Sequence, residues 1–318
     1  MVPPGRKRTL QPIAVLTGPT GTGKTDIALA LAREFPIEIV SVDSAQVYRG
    51  LDIGSAKPSR EIRARVAHHL VDLVEPSASY SAGQFVRDAA QAIDDIESRG
   101  RVPLLVGGTM LYLRALTGGI AELPERDAGI RARLDEEAAA HGWPALHARL
   151  SVIDPAAAAR IHPNDAQRIQ RALEVHAVGG RPISELQRLT LRPLERDFSI
   201  VALIPGDRAR LHAALEHRFS QMMAAGFLRE VGALYARGDL SEAHPAIRAV
   251  GYRQLWAHFA GSYSLETAVT RAVAATRQLA KRQMTWLRAM KSIQVIDPYD
   301  AQSFVGVRES LIGVFCPL

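Results

Sequence analysis

The 318-residue chain has one cysteine, Cys316. One thiol closes no internal disulfide and builds no cysteine-based zinc site, which excludes a disulfide-stapled scaffold and makes a reducing cytoplasm the expected compartment. No stretch approaches 18 consecutive apolar residues, so no membrane span is expected. The start is basic at Arg6, Lys7 and Arg8, but the apolar run after it, Ile13 to Leu16, is too short for a secretory signal. Lysine is scarce, supplying five of the 39 basic residues against 34 arginines. Arginine and alanine enrichment by itself reflects base composition, so position is the informative part. Acid is missing altogether between Arg271 and Lys291, where Arg271, Arg277, Lys281, Arg282, Arg288 and Lys291 supply six cations, equal to the net charge of +6 of the whole chain. A polyanionic partner follows from that concentration of charge.

Apolar residues (47%) and charged residues (23%) are those of a globular protein long enough for about two domains. The first 120 residues alternate strands and helices. Ile13 to Thr17 reads as a strand ending in a glycine-rich turn, Asp26 to Phe35 as a helix and Ile37 to Val42 as a β-branched buried strand. Leu70 to Val74 is expected as a further short strand, Phe85 to Arg99 as a helix stopped at Gly100, and Val102 to Val106 as a strand. Such alternation predicts a parallel sheet covered by helices. From Ala121 to Leu191 the pattern is helical, with Asp154-Pro155 as an N-cap and first-turn pair and Gly179-Gly180 as a stop for a helix starting near Asn164. Strand character returns at Phe198 to Ile204, and Arg208 to Gly226 and Leu265 to Met290 read as long helices. The tail after Asp297 carries no clear pattern. The expected organisation is an α/β, P-loop NTPase-like parallel-sheet core formed by 1–120 and 192–318, with an all-helical insertion over 121–191.

Gly18-Pro19-Thr20-Gly21-Thr22-Gly23-Lys24-Thr25 fits G-x-x-x-x-G-K-[ST] between a strand and a helix. The glycines let backbone N–H groups converge on phosphate oxygens, the helix N-terminus adds a favourable dipole, Lys24 supplies a point charge, and the Thr25 hydroxyl can ligate Mg²⁺. The motif leaves open which phosphate ester binds. An NTPase places an Asp after a hydrophobic strand to hold Mg²⁺; here Gly107-Gly108-Thr109 follows Val102 to Val106 instead. Asp43, at the carboxyl end of Ile37 to Val42, is the other candidate. A lone Asp at a strand end is commonly a cap or turn residue, but ligands of open α/β sheets bind on this rim, which Thr109 shares. On a helical wheel Arg277, Lys281 and Arg288 lie within about 40° of one another, with Leu279, Trp286 and Met290 opposite as the expected core face. Two further basic clusters, Arg248 to Arg253 and Gln167 to Arg171, accompany a phosphate loop, the combination expected of an enzyme that handles nucleic acid.

Six stretches together resemble the tRNA dimethylallyltransferase (tRNA isopentenyl transferase) family: GPTGTGKT (Gly18 to Thr25), SVDSAQVYRGLDIGSAKP (Ser41 to Pro58), LLVGGTMLYLRAL (Leu104 to Leu116), RIHPNDAQRIQRALEV (Arg160 to Val175), RAVGYRQLW (Arg248 to Trp256) and ATRQLAKRQMTWLR (Ala275 to Arg288). The resemblance implies transfer of a dimethylallyl group from dimethylallyl diphosphate to N6 of adenosine 37, in the anticodon stem-loop of tRNA. It implies diphosphate binding by Gly18, Pro19, Thr20, Gly21, Thr22, Gly23, Lys24, Thr25 and Arg218, with Mg²⁺ as cofactor. Asp43 takes the role of general base and Thr109 assists at the reacting centre. The tRNA contacts carried over are Asp43, Ser44, Ala45, Gln46, Thr109 and Arg131; Gln167, Arg168, Ile169, Gln170 and Arg171; Arg248, Ala249, Val250, Gly251, Tyr252 and Arg253; and Lys281, Arg282, Gln283, Met284, Thr285, Trp286, Leu287 and Arg288. A monomer is the default expectation. The alternatives are a P-loop small-molecule or nucleotide kinase and a non-catalytic RNA-binding module.

Overall fold

The computed structural model describes residues 11–121, 123–188 and 194–316. The basic start at Arg6, Lys7 and Arg8, and the boundary expected at 191/192, lie outside the described residues. The chain forms two compact units, one from residues up to Leu113 together with Glu195 onward, the other from Arg114 to Leu194.

The first unit is built on β1 (Ile13–Thr17), β2 (Ile37–Val42), β3 (His68–His69), β4 (Val102–Gly107), β5 (Phe198–Leu203) and β6 (Gln294–Ile296), arranged β3-β2-β4-β1-β5-β6. Every pairing is parallel. β1 and β2 are buried along their whole length; β1 is apolar up to Thr17, while β2 carries two buried polar side chains, Glu38 and Ser41, among its β-branched residues. The register puts Thr17 beside Gly107 and Gly107 beside Val42, so three central strands end in one row. The segments that follow (Gly18 onward, Gly108-Thr109 and Asp43) therefore emerge side by side on one rim. Gly107 has to be glycine, because a Cβ there would strike the Val42 carbonyl.

Helices α1 (Lys24–Glu34), α2 (Arg60–Arg65), α3 (Ala82–Ser98) and α4 (Met110–Gly118) belong to the first half of the chain. α3 begins in a capping box, with Ser81 accepting from the Gln84 N–H and the Gln84 side chain accepting from the Ser81 N–H. The strand expected over Leu70 to Val74 is not formed. β3 precedes it at His68–His69, and Leu70 and Asp72 adopt positive φ of 62° and 57°, a kink that ends the strand.

The second unit holds α5 (Ala128–His141), α6 (Trp143–Ile153), α7 (Pro155–Ala158), α8 (Ala166–Gly179) and α9 (Ile183–Arg188), packed on Leu134, Leu146, Leu150, Ile169, Leu173 and Val175. Asp154 caps α7 by accepting from the Ala157 N–H at 2.9 Å and also accepts from the Ser184 N–H at 2.8 Å. Gly180 ends α8 in the left-handed conformation at φ 65°.

The remaining helices are α10 (Arg208–Ala224), α11 (Phe227–Ala236), α12 (Tyr252–Phe259), α13 (Leu265–Ala289) and α14 (Ser303–Phe315). α14, in the tail that carried no sequence pattern, places Val307, Leu311, Val314 and Phe315 against Ala14, Leu16, Val201 and other sheet residues. α13 buries Ala280, Met284 and Leu287. The core face expected there is corrected accordingly: Leu279 is half-buried, Trp286 is exposed, and both line a cavity. Among the described residues no helix is long and apolar enough to cross a membrane.

Candidate active site

Two cavities meet above the strand row. The polar one, of about 540 Å³, is floored by the phosphate loop from Thr20 to Thr25 and walled by Ser41, Asp43 and Gln46. The apolar one, of about 450 Å³, is walled by Leu215, Phe219, Met222, Phe227, Leu279 and Trp286. Thr20, Asp43, Ser55, Gly108, Arg218 and Gln283 line both and so mark the junction. Both volumes fall within the range of small-molecule sites.

The loop has the backbone its glycines permit. Gly21 and Gly23 stand at φ 82° and 75°, where a side chain is strained, and Gly23 opens α1. Lys24 Nζ donates to the carbonyls of Gly18 at 3.0 Å and Pro19 at 2.7 Å, holding the loop closed. Burial of its ammonium and the nearby Arg218 guanidinium lower the Lys24 pKa to about 7, partly opposed by Asp43. Arg218 is lowered by burial in turn, with Asp43 and Asp26 opposing; its Nη1 donates to the Thr20 hydroxyl at 3.2 Å. Two cations thus face one cavity, an arrangement that favours an anion of high charge.

Asp43 and Thr109 come together as expected on the rim. Asp43 Oδ1 accepts from the N–H groups of Ala45 at 2.8 Å and Gln46 at 3.3 Å. The turn-residue reading of this Asp is therefore also realised, and it fixes the carboxylate through Oδ1. Thr109 Oγ1 accepts from the Ser44 N–H at 3.0 Å, tying the end of β4 to the segment after β2. Thr25 and Asp43 supply oxygen donors to the polar cavity. Among the described residues no cluster of three His, Cys, Asp or Glu side chains is suited to hold a metal. A hydroxyl, a carboxylate and phosphate oxygens together match what Mg²⁺ takes when it is shared with a phosphate ligand.

The carried-over contact residues divide by exposure. Ser44, Ala45, Arg248, Ala249, Val250 and Arg282 line the apolar cavity, and Arg253, Lys281, Thr285 and Arg288 are exposed. Ile169, Tyr252, Met284 and Leu287 are each buried to within 3% and pack in a core, Tyr252 also lining the apolar cavity. Gly251 is buried, since a Cβ would lie 2.9 Å from Phe227. Arg277 is held by Glu216 of α10 at 2.8 Å, an acid the linear stretch did not reveal. In the helical unit, Gln167 and Arg168 are exposed. Gln170 is buried on Asp135 at 2.7 Å, and Arg131 and Arg171 both close on the fully buried Glu174, at 2.8 and 2.7 Å. Burial would raise Glu174, but the two guanidinium groups and the Asp127 N–H outweigh it and hold the carboxyl below its usual value.

Two side chains were not found from the sequence. Glu230 of α11 accepts from the N–H groups of Asp52, Ile53 and Gly54, at 3.1, 2.7 and 3.2 Å, and from the Tyr252 hydroxyl at 2.6 Å. It thereby holds the backbone of the cavity-lining segment at Gly54 and Ser55. Lys57 is buried between Asp52 and Asp72, both at 2.6 Å, and bonds the Tyr48 carbonyl at 2.7 Å. The backbone partners of Glu230 lie 176 to 178 residues away in sequence and Asp72 lies 15 residues from Lys57, beyond what local spacing signals.

The IPP transferase family profile matches residues 46–290, and the isopentenyl transferase profile matches residues 11–71. The tRNA dimethylallyltransferase of Alkalilimnicola ehrlichii is 57% identical over 282 residues, 89% of either chain. The crystal structure of a full-length tRNA isopentenylpyrophosphate transferase from Bacillus halodurans is similar with TM-score 0.68 at 33% identity, covering 96% of this chain and 97% of that one. A eukaryotic dimethylallyltransferase acting on tRNA is similar with TM-score 0.77 at 26% identity, covering 96% and 78%. With the phosphate loop, the strand-end carboxylate and these matches along most of its length, the chain belongs to the tRNA dimethylallyltransferase family, the tRNA isopentenyl transferases.

Proposed function

We propose that the protein transfers a dimethylallyl group from dimethylallyl diphosphate to N6 of adenosine 37 in tRNA, releasing diphosphate. The observation that carries this reading is the junction itself: a cationic cavity and an apolar cavity share Asp43 and Arg218. Such a pair of compartments suits a molecule with a polyanionic head and a short hydrocarbon tail. The diphosphate lies on the backbone of Gly18 to Thr25 with Lys24 and Arg218 beside it, and the five-carbon tail enters between Phe219, Phe227 and Leu279.

The exocyclic amine of adenine is a weak nucleophile because its lone pair is delocalised. Asp43 Oδ2 takes one N6 proton as N6 bonds the allylic carbon and the C–O bond to diphosphate breaks. The electron pair of that bond leaves with the diphosphate, where Lys24 and Arg218 stabilise the growing charge. Thr109 keeps the Ser44 backbone, and with it the Asp43 turn, in place. Mg²⁺ is proposed as cofactor: Thr25, with Asp43 nearby, would hold it, and it would supply neutralisation of the leaving-group charge. The adenosine leaves its stack in the anticodon loop to reach the centre. The exposed cations Arg253, Lys281 and Arg288, with Arg282 at the cavity, provide the phosphate-binding surface. We further propose a monomer working in the cytoplasm.

A kinase would share the phosphate loop but has no use for an apolar cavity opening onto Asp43. An RNA-binding module would have no use for two cations gathered over a phosphate loop. Incubation with radiolabelled dimethylallyl diphosphate and unmodified tRNA decides the matter. Label transfer without ATP is expected; ATP consumption without label transfer would sink the reading.

A further inference from the structure

On the basic helix α13, Gln283 is buried to 8% amid apolar core positions. Its Oε1 accepts from the Thr20 N–H of the phosphate loop at 3.0 Å, and its Nε2 donates to the Gly108 carbonyl at 2.8 Å. Both ends of the amide are used, with opposite polarity, on backbone groups 263 and 175 residues away. The groups it joins bear on function: Thr20 carries the hydroxyl that receives Arg218, and Gly108 precedes Thr109. Gly108 gives the amide access to bare backbone, since a Cβ there would lie 2.6 Å from Gln283 Nε2. Gln283, carried over above as a tRNA contact, also lines both cavities.

We infer that Gln283 is a positioning residue through which RNA engagement on α13 is transmitted to the phosphate loop, so that tRNA and prenyl diphosphate bind cooperatively. The inference rests on the reading of α13 as an RNA face and of the polar cavity as the diphosphate site. A residue needed only for packing would be apolar, as Ala280, Met284 and Leu287 are. A buried amide bonded to backbone is satisfied in only one placement of the helix against the loop, and leaving either partner unpaired is costly. RNA phosphates gripping Lys281 and Arg288 hold α13 in that placement. The loop then presents Thr20 and Arg218 to the diphosphate without further ordering. By linkage, bound diphosphate favours RNA by the same factor.

The test measures binding of dimethylallyl thiolodiphosphate, a non-transferring analogue, to the full chain with and without saturating unmodified anticodon stem-loop RNA. In the wild type, RNA is expected to tighten analogue binding about tenfold. In Gln283→Leu that factor is expected to fall to about one while each ligand alone still binds, and kcat falls more than KM rises. Gln283→Glu keeps the acceptor for Thr20 but sets a carboxylate against the Gly108 carbonyl. Protonation turns it into a donor, so its coupling and its kcat relative to wild type are expected to recover as pH falls towards about 5. Equal coupling in wild type and Gln283→Leu, or no coupling in a wild type that binds both ligands, would overturn the inference. If Gln283→Leu does not fold, the pH profile of Gln283→Glu decides, and a flat profile overturns the inference. Failure of the wild type to bind analogue or RNA at all would instead remove the underlying site reading, and the inference with it.

Discussion

Two groups of half-buried cations in this protein have opposite fates. In the helical unit Arg131 and Arg171 close on Glu174, which also accepts the Asp127 N–H, so both guanidinium groups are paired and bonded internally. Over the phosphate loop Lys24 bonds only the carbonyls of Gly18 and Pro19, and Arg218 only the Thr20 hydroxyl, among the described residues. The first arrangement is complete without a ligand. The second is two cations each lowered by burial, Lys24 further by Arg218, until an anion arrives. Arginine-rich sequence alone does not distinguish them; the carboxylate supplied from α8 does.

The largest expected break is at the carboxylate that faces the junction. Asp43→Ala should lower turnover about 10³-fold, measured by label transfer under single-turnover conditions, while tRNA affinity in a filter-binding assay stays within a few-fold. Near-normal turnover would remove Asp43 from the base role. Next, Glu174→Leu should cost about 3 kcal/mol of stability in urea unfolding, because it strands Arg131 and Arg171, with prenyl-analogue affinity unchanged. A stability loss near zero would mean that the cluster is not closed as described.

Lys24→Met reverses the pattern. Analogue affinity should fall about 30-fold, read by calorimetry, with no loss of stability. The folded pKa of Lys24, about 7, lies below its ordinary 10.5, so from about pH 7 to 10.5 the unfolded chain binds the extra proton and stability rises with pH. Lys24→Met should remove that contribution. A bound diphosphate restores the proton, so wild-type analogue affinity should decline as pH rises above about 7, with proton uptake visible as a dependence of binding enthalpy on buffer. The smallest effect is expected on the RNA face. Lys281→Glu with Arg288→Glu should weaken tRNA binding about tenfold and flatten its salt dependence, leaving analogue affinity intact. Equal losses for both ligands would contradict the assignment.

What could be read from the sequence was what lies close together along the chain. The buried strands, the phosphate loop and the caps at Asp154 and Gly180 are local patterns of apolar runs, glycine and capping residues, and they appear where expected. The alignment of Asp43 with Thr109 was also legible, since both follow strands of one parallel sheet. The strand expected at Leu70 failed because two non-glycine residues take positive φ there, which apolar composition does not reveal. The wheel of α13 put Leu279 and Trp286 in the core because they are apolar; they line a cavity that is itself apolar, and periodicity cannot separate a core from a ligand pocket. Gln283, Glu230 and α14 depend on partners far away in the chain, so only the folded structure exposes their roles.

The most direct measurement is a crystal structure with dimethylallyl thiolodiphosphate bound. The expected result has the diphosphate on the Gly18 to Thr25 backbone between Lys24 and Arg218, the tail among Phe219, Phe227 and Leu279, and the allylic carbon facing Asp43. An analogue lying outside the polar cavity, or one whose tail turns away from Asp43 into solvent, would contradict the assignment of this junction as the reacting centre.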